Sequence, residues 1–355
     1  MNAARTGGPL SMKFRWFRPT WAVALLLLVL NTGYAQAPQP KGAGVQGGIL
    51  PRSWRPSDPY CSTKPEFQVH EYNQDFYILR ESGCSDFEKP FLYLLFGREK
   101  ALLLDTGSGK TDVDRVVKHI TDRWSSRNNR KTIPLVVAHT HAHPDHIAGD
   151  AQMRALPNTT VVTPSVSGVQ AFFGFRKWPE ETVTYDLGDR VLDVIPIPGH
   201  EASSIAIYDR QTGILFTGDT LYPGRLYVDD APAFVRSIQR LVDFTKGKVV
   251  TQALGNHVEQ TRTPYMDYPI GTVYQPNEHQ LELGRAHLLE LSAALSEMQG
   301  KFRRMAMRDF TIWPICFARI DPDSKYWMGK SITDPIEQER RIISGGCGEN
   351  VPLPW

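Results

Sequence analysis

The chain has 355 residues, of which 41% are hydrophobic, 22% charged and 10% aromatic. This composition excludes an intrinsically disordered, collagen-like or coiled-coil protein, and the length allows one large domain or two smaller ones. The 40 basic residues nearly balance the 38 acidic ones, with a formal net charge of +2. No surplus of positive charge therefore indicates a nucleic-acid-binding protein.

The first 37 residues have the pattern of a secretory signal peptide. A basic stretch with Lys13, Arg15 and Arg18 precedes an apolar run at residues 21–30, and Ala35-Gln36-Ala37 is typical of a cleavage site. The run is shorter than the roughly 20 apolar residues that a membrane-spanning helix needs. We therefore expect cleavage after Ala37, a periplasmic or secreted mature protein and no permanent membrane span. Removal of residues 1–37 leaves 36 basic against 38 acidic residues, a net charge of −2.

Residues 38–65 are rich in Pro, Gly and Ser, which predicts a linker or an N-terminal arm. From residue 66 onwards, short apolar or alternating runs separated by turn residues predict the strands of a sheet. The first four predicted strands cover residues 67–72, 76–79, 91–96 and 100–104. A predicted helix follows, with helical spacing of the apolar residues Val113, Val116, Val117 and Ile120. Either Thr111 or Asp112 can cap this helix.

The alternation of strand, polar loop and helix continues beyond this helix. Further strands are predicted at residues 133–138, 161–162, 191–195, 205–208, 214–217 and 249–254. Further helices are predicted at residues 147–156 and 234–242. This order predicts an α/β layered catalytic domain over residues 66–260. Residues 261–355 are predicted to be a C-terminal extension packed on that domain, with a long amphipathic helix at residues 278–298.

If the protein is exported, its four cysteines can form disulfides, because disulfides form in an oxidising compartment. Four cysteines allow three pairings, and the sequence alone does not choose among them. The arrangement with the shortest loops pairs Cys61 with Cys84 and Cys316 with Cys347.

Four of the ten histidines fall within eight residues, directly after the predicted strand at residues 133–138. His141 and His143 are two residues apart, so in extended backbone their imidazoles point the same way and can bind one ion. Asp145 and His146 begin the turn into the next helix, where they can bind a second ion. Neutral imidazole and carboxylate are ligands that suit zinc or iron.

Three later segments, each after an apolar run, supply matching residues at His200, Asp219 and His257. Each has a neighbouring glycine, which allows a close approach of the backbone. A single histidine after a strand is usually an ordinary hydrogen-bonded residue, and His139 is interpreted in this way. The occurrence of all four segments in this order indicates a dinuclear metal site.

On these residues the sequence resembles the metallo-β-lactamase fold superfamily over residues 66–260. The resemblance implies a four-layer αβ/βα sandwich with the metals at one edge of two packed sheets. It assigns the first metal to His141, His143 and His200, the second to Asp145, His146 and His257, and the bridging position to Asp219. A bridging aspartate is similar to the glyoxalase II and lactonase branches and unlike typical β-lactamases. Asp105 matches the Asp-x-Gly turn whose carboxylate orients a metal-bound histidine.

The resemblance implies a hydrolase with two divalent ions, with zinc as the first expectation and iron or manganese as alternatives. Two ions roughly 3.5–4 Å apart hold a water and lower its pKa towards about 7, which gives a metal-bound hydroxide. This hydroxide would attack a small ester, thioester, lactone or amide. Asp145 is the candidate for proton transfer. Tyr222, Arg225 and Tyr227 follow Asp219 closely and are candidates for lining the substrate pocket.

Two other hypotheses stay open. One is a mono-iron oxidoreductase that resembles the persulfide dioxygenases, which use a reduced ligand set in the same fold. The other is a non-catalytic protein that holds its metals structurally. The full ligand set favours a hydrolase over both. The expected partner is a small-molecule substrate and not a nucleic acid, while substrate identity and oligomeric state stay open.

Overall fold

A computed structural model describes residues 45–64 and 67–315 of the chain. The predicted signal peptide and the predicted Cys316–Cys347 pair lie outside these residues. Within them, no helix combines the length and the apolar character needed to cross a membrane.

The described residues alternate between short strands and helices in the predicted manner. The strands are β1 Gln68–Asn73, β2 Phe76–Arg80, β3 Phe91–Phe96, β4 Ala101–Leu104, β5 Leu135–Ala138, β6 Thr159–Val161, β7 Val183–Asp186, β8 Val191–Pro196, β9 Ile205–Asp209, β10 Ile214–Gly218, β11 Arg225–Val228, β12 Gln252–Gly255, β13 Glu282–Leu283, β14 Met305–Ala306 and β15 Thr311–Pro314. The helices are α1 Val113–Arg127, α2 Pro144–Ile147, α3 Asp150–Arg154, α4 Val166–Phe173, α5 Ala231–Thr245 and α6 Arg285–Glu297.

The first sheet has the order β1-β2-β3-β4-β5-β6. Its first four strands pair antiparallel, whereas β4, β5 and β6 pair parallel through crossovers that contain helices. Strands β2 to β5 are buried along their whole length, because the sheet is covered on both faces. Parallel pairing brings the carboxyl ends of β4 and β5 to the same edge of the sheet.

The second sheet has the order β13-β12-β10-β9-β8-β7, in which β10 and β12 pair parallel. The predicted hairpin is present as β9 and β10. A smaller third sheet joins β11 to β15 and β14 and was not predicted from the sequence. Its strands are short, and β11 lies more than 80 residues before its partner β15, so no local alternation identifies this sheet.

Three hydrophobic clusters define the layers. The first fills the space between the two large sheets and contains Phe76 and Tyr93 from one sheet and Phe216 from the other. The second packs α5 and α6 on the outer face of the second sheet, and the third packs α1 on the outer face of the first. This is a four-layer α/β sandwich, which confirms the predicted fold class.

Two predicted helices have different bounds in the structure. The helix predicted at residues 147–156 is two short helices, α2 and α3, and α2 already begins at Pro144, a position that proline favours. The helix predicted at residues 278–298 is confined to Arg285–Glu297, because the residues before it pair with β12 as the strand β13. A hydrogen-bonded sheet edge outweighs helical periodicity here.

The N-terminal contacts agree in part with the sequence analysis. Cys61 and Cys84 form a disulfide, which belongs to the shortest-loop arrangement among the three that the sequence leaves open. Asp112 occupies the N-cap position of α1, but its side chain makes no capping bond and instead pairs with Lys64 at 2.9 Å. Trp54, in the predicted arm, is buried and stacks edge-on against Phe91.

Candidate metal centre

The candidate ligands all follow the carboxyl ends of strands at one edge of the sandwich. The loop after β5 carries His141, His143, Asp145 and His146, next to Asp105 after β4. In the second sheet, His200 follows β8, Asp219 follows β10 and His257 follows β12. The structure therefore brings together residues from four separate segments of the sequence.

The first set consists of His141, His143 and His200. Nε2 of His141 lies 3.0 Å from Nδ1 of His143, and Nε2 of His200 lies 3.2 and 3.0 Å from these two nitrogens. Two ligands at 2.0–2.1 Å from one tetrahedral zinc ion lie roughly 3.3–3.4 Å apart, so the spacing fits a shared ion.

The second set consists of Asp145, His146 and His257. Oδ2 of Asp145 lies 2.9 Å from Nε2 of His146 and 3.3 Å from Nε2 of His257. The two histidine nitrogens are 3.3 Å apart. This triangle has the dimensions of the first and, like it, is a group able to hold a metal ion.

Asp219 lies between the two sets. Its Oδ2 is 3.7 and 3.6 Å from the Nε2 atoms of His141 and His200 in the first set. The same oxygen is 3.5 and 3.3 Å from those of His146 and His257 in the second. Its Oδ1 is buried and has no hydrogen-bond partner among the residues that the structure describes. An orphaned carboxylate oxygen beside converging imidazole nitrogens fits a site that is completed by cations.

Asp105 orients His146 of the second set through the ring nitrogen that faces away from the candidate metal position. Its Oδ2 lies 3.0 Å from Nδ1 of His146 and accepts hydrogen bonds from the Thr140 hydroxyl and the Asn256 amide at 2.8 and 2.6 Å. Its Oδ1 accepts the Thr140 N–H at 2.7 Å. Asp105 has a φ of 68°, a left-handed conformation that aspartate tolerates better than most residues. The turn thus aims one carboxylate at the ligand loop.

Two backbone carbonyls have the same role for other histidines. Nδ1 of His200 lies 2.9 Å from the Tyr227 carbonyl oxygen, and Nδ1 of His257 lies 2.8 Å from that of Glu88. A carbonyl accepts only from a protonated nitrogen, so both contacts select the tautomer whose Nε2 lone pair faces the centre.

The histidine pKa values shift in opposite directions in the two ligand sets. Burial, assisted by the His146 imidazole, holds the pKa of His141 well below its ordinary value, and burial with His200 lowers the pKa of His143 to about 3. Burial alone would also lower the pKa values of His146 and His257, but the carboxylates of Asp145 and Asp219 outweigh it and raise both. The second set therefore attracts a positive charge, either a proton or a metal cation.

A narrow cavity of about 20 Å³ opens onto both sets. Tyr222 and Tyr227 line it, whereas the Arg225 side chain does not and instead pairs with Glu259 at 3.2 Å. Sequence reasoning missed two further lining residues, Glu88 and Glu259. Glu259 lies two residues after the candidate ligand His257 in the sequence, and this short distance could have indicated it. Glu88 lies in the β2–β3 loop, where no sequence pattern distinguishes it.

His139 lies outside both ligand sets. It is buried, and its Nε2 lies 2.8 Å from Oδ1 of Asp150. This agrees with its interpretation as a hydrogen-bonded interior histidine.

Comparisons with known proteins agree on one family. Residues 87–262 match the family model of the Metallo-beta-lactamase superfamily. Acyl-coenzyme A thioesterase MBLAC2 of Bos taurus is 29% identical over 202 residues, which are 47% of this chain and 72% of that protein. Hydroxyacylglutathione hydrolase of Chelativorans sp. (strain BNC1) is 28% identical over 120 residues, which are 33% of this chain and 47% of that protein.

Among solved structures, a metallo-beta-lactamase from Pontibacter korlensis is similar with a TM-score of 0.44 and 17% identity, over 65% of this chain and 99% of that one. The family match, together with the two sequence relatives, shows that residues 87–262 are a metallo-β-lactamase superfamily domain.

Proposed function

We propose that this protein is a dinuclear metal-dependent hydrolase of small acyl compounds, with thioesters and esters ahead of lactones and amides. The observation that carries the proposal is the position of Asp219, whose Oδ2 lies between two complete ligand sets. The thioesterase and the hydroxyacylglutathione hydrolase among its relatives are both named for acyl hydrolysis, which supports thioesters as the first substrate class.

The chain would hold one ion with His141, His143 and His200 and the other with Asp145, His146 and His257, with Asp219 shared. Two divalent ions supply Lewis acidity, which polarises a carbonyl oxygen and lowers the pKa of water; zinc is the proposed metal.

The protein's own groups prepare the site for this chemistry. Asp145 is the carboxylate proposed to accept and return a proton, because its Oδ2 points at the centre between two imidazoles. Six of the seven proposed ligands are buried and His143 is half-buried. The cavity between them is narrow, so little solvent reaches the ligands and each electrostatic contact is strengthened. Only the reacting group of a substrate enters this space.

The first test combines metal analysis with turnover. We expect two zinc ions per chain in the purified mature protein and hydrolysis of thioester or ester substrates. Asp219→Ala should lose at least one ion and reduce kcat/KM by about a thousandfold or more, since it removes the ligand between the sets. Asp309→Ala is the matched control, because Asp309 also contacts two histidines, His279 and His287, outside the metal centre.

The measurements separate the alternatives. One iron and no zinc per chain would replace the hydrolase with the mono-iron oxidoreductase hypothesis. Two bound metals without turnover of any acyl substrate would leave the non-catalytic metal-binding protein.

We also propose that the protein is exported and acts in the periplasm or outside the cell. The Cys61–Cys84 disulfide supports this location, because such bonds persist in oxidising compartments. Expression of the full chain followed by N-terminal sequencing should find a mature protein that begins at Pro38, directly after Ala37, in the exported fraction. An uncleaved chain confined to the cytosol would contradict the proposal.

A further inference from the structure

The strand β11 orients His200, although it belongs to the third sheet and not to the two sheets that carry the ligands. Nδ1 of His200 donates to the Tyr227 carbonyl oxygen in β11 at 2.9 Å. The backbone N–H groups of Asp229 and Asp230, directly after β11, both donate to the Gly199 carbonyl oxygen at 2.9 Å. β11 therefore contacts both the side chain of His200 and the backbone immediately before it.

β11 is an edge strand, and β15 is its single strand neighbour within the described part of the chain. The two strands pair parallel, with Tyr227 opposite Trp313. A backbone hydrogen bond of 2.8 Å from the Ile315 N–H to the Val228 carbonyl continues the pair. β15 lies in the C-terminal extension, beyond the matched domain at residues 87–262. A strand from outside that domain thus holds the backbone that orients His200.

Side-chain packing repeats this connection between β11 and β15. A small hydrophobic cluster contains Tyr227, Ile270, Trp313 and Ile315, all of which are buried. The rings of Tyr227 and Trp313 pack edge-on with their centroids 6.1 Å apart. The guanidinium groups of Arg304 and Arg225 lie 3.6 and 5.6 Å from the centre of the Trp313 ring. Because protein interiors are closely packed, removal of this ring would leave a void next to Tyr227 into which β11 can relax.

The second ligand set depends less on this cluster. His257 is oriented by the Glu88 carbonyl at 2.8 Å. The loop of Glu88 is anchored by the disulfide at its start and by the Lys89 ammonium, which donates to two backbone carbonyls. Phe87 packs against the cluster from this loop, but both anchors remain when the cluster is changed. A change in the cluster should therefore act mainly on the first set.

We propose that Trp313 is a positioning residue for the first metal. It holds β11 so that the Tyr227 carbonyl keeps His200 in the tautomer and orientation that present Nε2 to the ion. The C-terminal extension is then part of the metal centre, although β15 carries none of the seven ligands. This inference rests on the proposed function, in which His141, His143 and His200 bind one of two ions.

The test measures zinc affinity by competition with a chromogenic chelator. Trp313→Ala should weaken the binding of one of the two ions by about tenfold, as expected for a change behind a ligand histidine. Trp313→Phe keeps an aromatic ring against Tyr227 and should bring the affinity back to within about threefold of wild type. In protein loaded with Co²⁺, the visible absorption should change in Trp313→Ala and return in Trp313→Phe, because it reports the arrangement of the ligands.

Two ligand variants identify the ion that is affected. In His200→Ala the histidine that β11 orients is absent, so the addition of Trp313→Ala should change the remaining affinity by less than about twofold. In His257→Ala the first set is complete, so Trp313→Ala should keep its effect of about tenfold.

Trp124→Ala is the matched control. Trp124 is buried in α1, and its ring stacks on Phe96 at 4.7 Å on the outer face of the first sheet. The same truncation at this place should lower the melting temperature but leave zinc affinity and Co²⁺ absorption unchanged. If Trp313→Ala does not fold, Ile315→Ala removes a smaller side chain from the same cluster and should shift both measurements in the same direction.

The two levels of the proposal fail differently. Wild-type zinc affinity and Co²⁺ absorption in the folded cluster variant would overturn the role of Trp313 and leave the hydrolase intact. An equal effect of Trp313→Ala in the His200→Ala and His257→Ala backgrounds would also overturn it, because the effect would then not pass through His200. If the wild type binds no metal, the proposed function fails and the role of Trp313 fails with it.

Discussion

At the scale of single residues, the ligand loop shows what a sequence makes visible. Four candidate ligands lie within six residues, so their spacing alone predicts a shared site. Asp105 was found only through the resemblance to a family turn. Asn256, which donates to the Asp105 carboxylate, and Glu88 were not found, because single polar residues in loops have no period and no neighbour of the same type.

Asp105 gives a prediction at this scale. Asp105→Asn keeps the size of the side chain and tolerates the φ of 68°, but it removes the negative charge beside Nδ1 of His146. Because such partners raise the basicity of a ligand histidine, we expect metal affinity to fall by about 10–100-fold. Competition with a chromogenic chelator measures this affinity.

The control for this substitution is Asp193→Asn. Asp193 is buried and pairs with Arg210 at 2.6 Å, away from the ligands. It should leave metal affinity unchanged although it also removes a paired carboxylate. Equal affinities in wild type and Asp105→Asn would show that Asp105 only shapes the turn.

At the scale of elements, the errors of the sequence analysis have a common cause. Strong, continuous apolar runs such as Phe91–Phe96 are strands as predicted, because burial on both faces requires them. The weaker elements depend on partners that are distant along the chain. β11, for example, pairs with β15, more than 80 residues later, and β13 exists only because β12 offers a free edge. Neither partner can be inferred from a local window.

The β2–β3 loop supports a prediction on pH dependence. Burial, assisted by the nearby Arg80 charge, lowers the pKa of Lys89 from 10.5 to about 8. Below pH 8 the folded and unfolded chains both hold this proton, and between pH 8 and 10.5 only the unfolded chain does. The folded state therefore gains stability as pH rises through this window, by about 3 kcal/mol at 1.36 kcal/mol per unit.

Urea unfolding of wild type and Lys89→Met at pH 7 and pH 10.5 checks this sign. The free energy of unfolding of the wild type should rise relative to the variant at the higher pH. Lys131→Met, which removes an exposed lysine, is the control. A difference between wild type and Lys89→Met that does not depend on pH would show that the buried ammonium keeps its proton.

At the scale of the whole molecule, the metal centre joins the two halves of the sandwich. His141, His143, Asp145 and His146 follow the first sheet, whereas His200, Asp219 and His257 follow the second. Between the sheets, contact is made by side chains such as Phe76 and Phe216, whose rings pack edge-on at 5.6 Å. Each proposed ion would therefore bind ligands from both sheets, at an edge where apolar packing gives way to buried charge.

Metal binding should for this reason stabilise the whole fold. A ligand that binds only the folded state adds about 2.7 kcal/mol at a free concentration of about 100 times its Kd. We expect a chelator to lower the Tm of the wild type by several degrees and zinc to restore it. In Asp219→Ala most of this difference in Tm should disappear, because the carboxylate between the two sets is gone, while Asp309→Ala should keep it.

A Tm that chelation and zinc leave unchanged would mean that the seven residues do not bind metal in the folded protein. A shift of equal size in wild type and Asp219→Ala would instead mean that each ligand set binds its ion without the bridging carboxylate, so that the two sheets are joined by His200 and His257 alone.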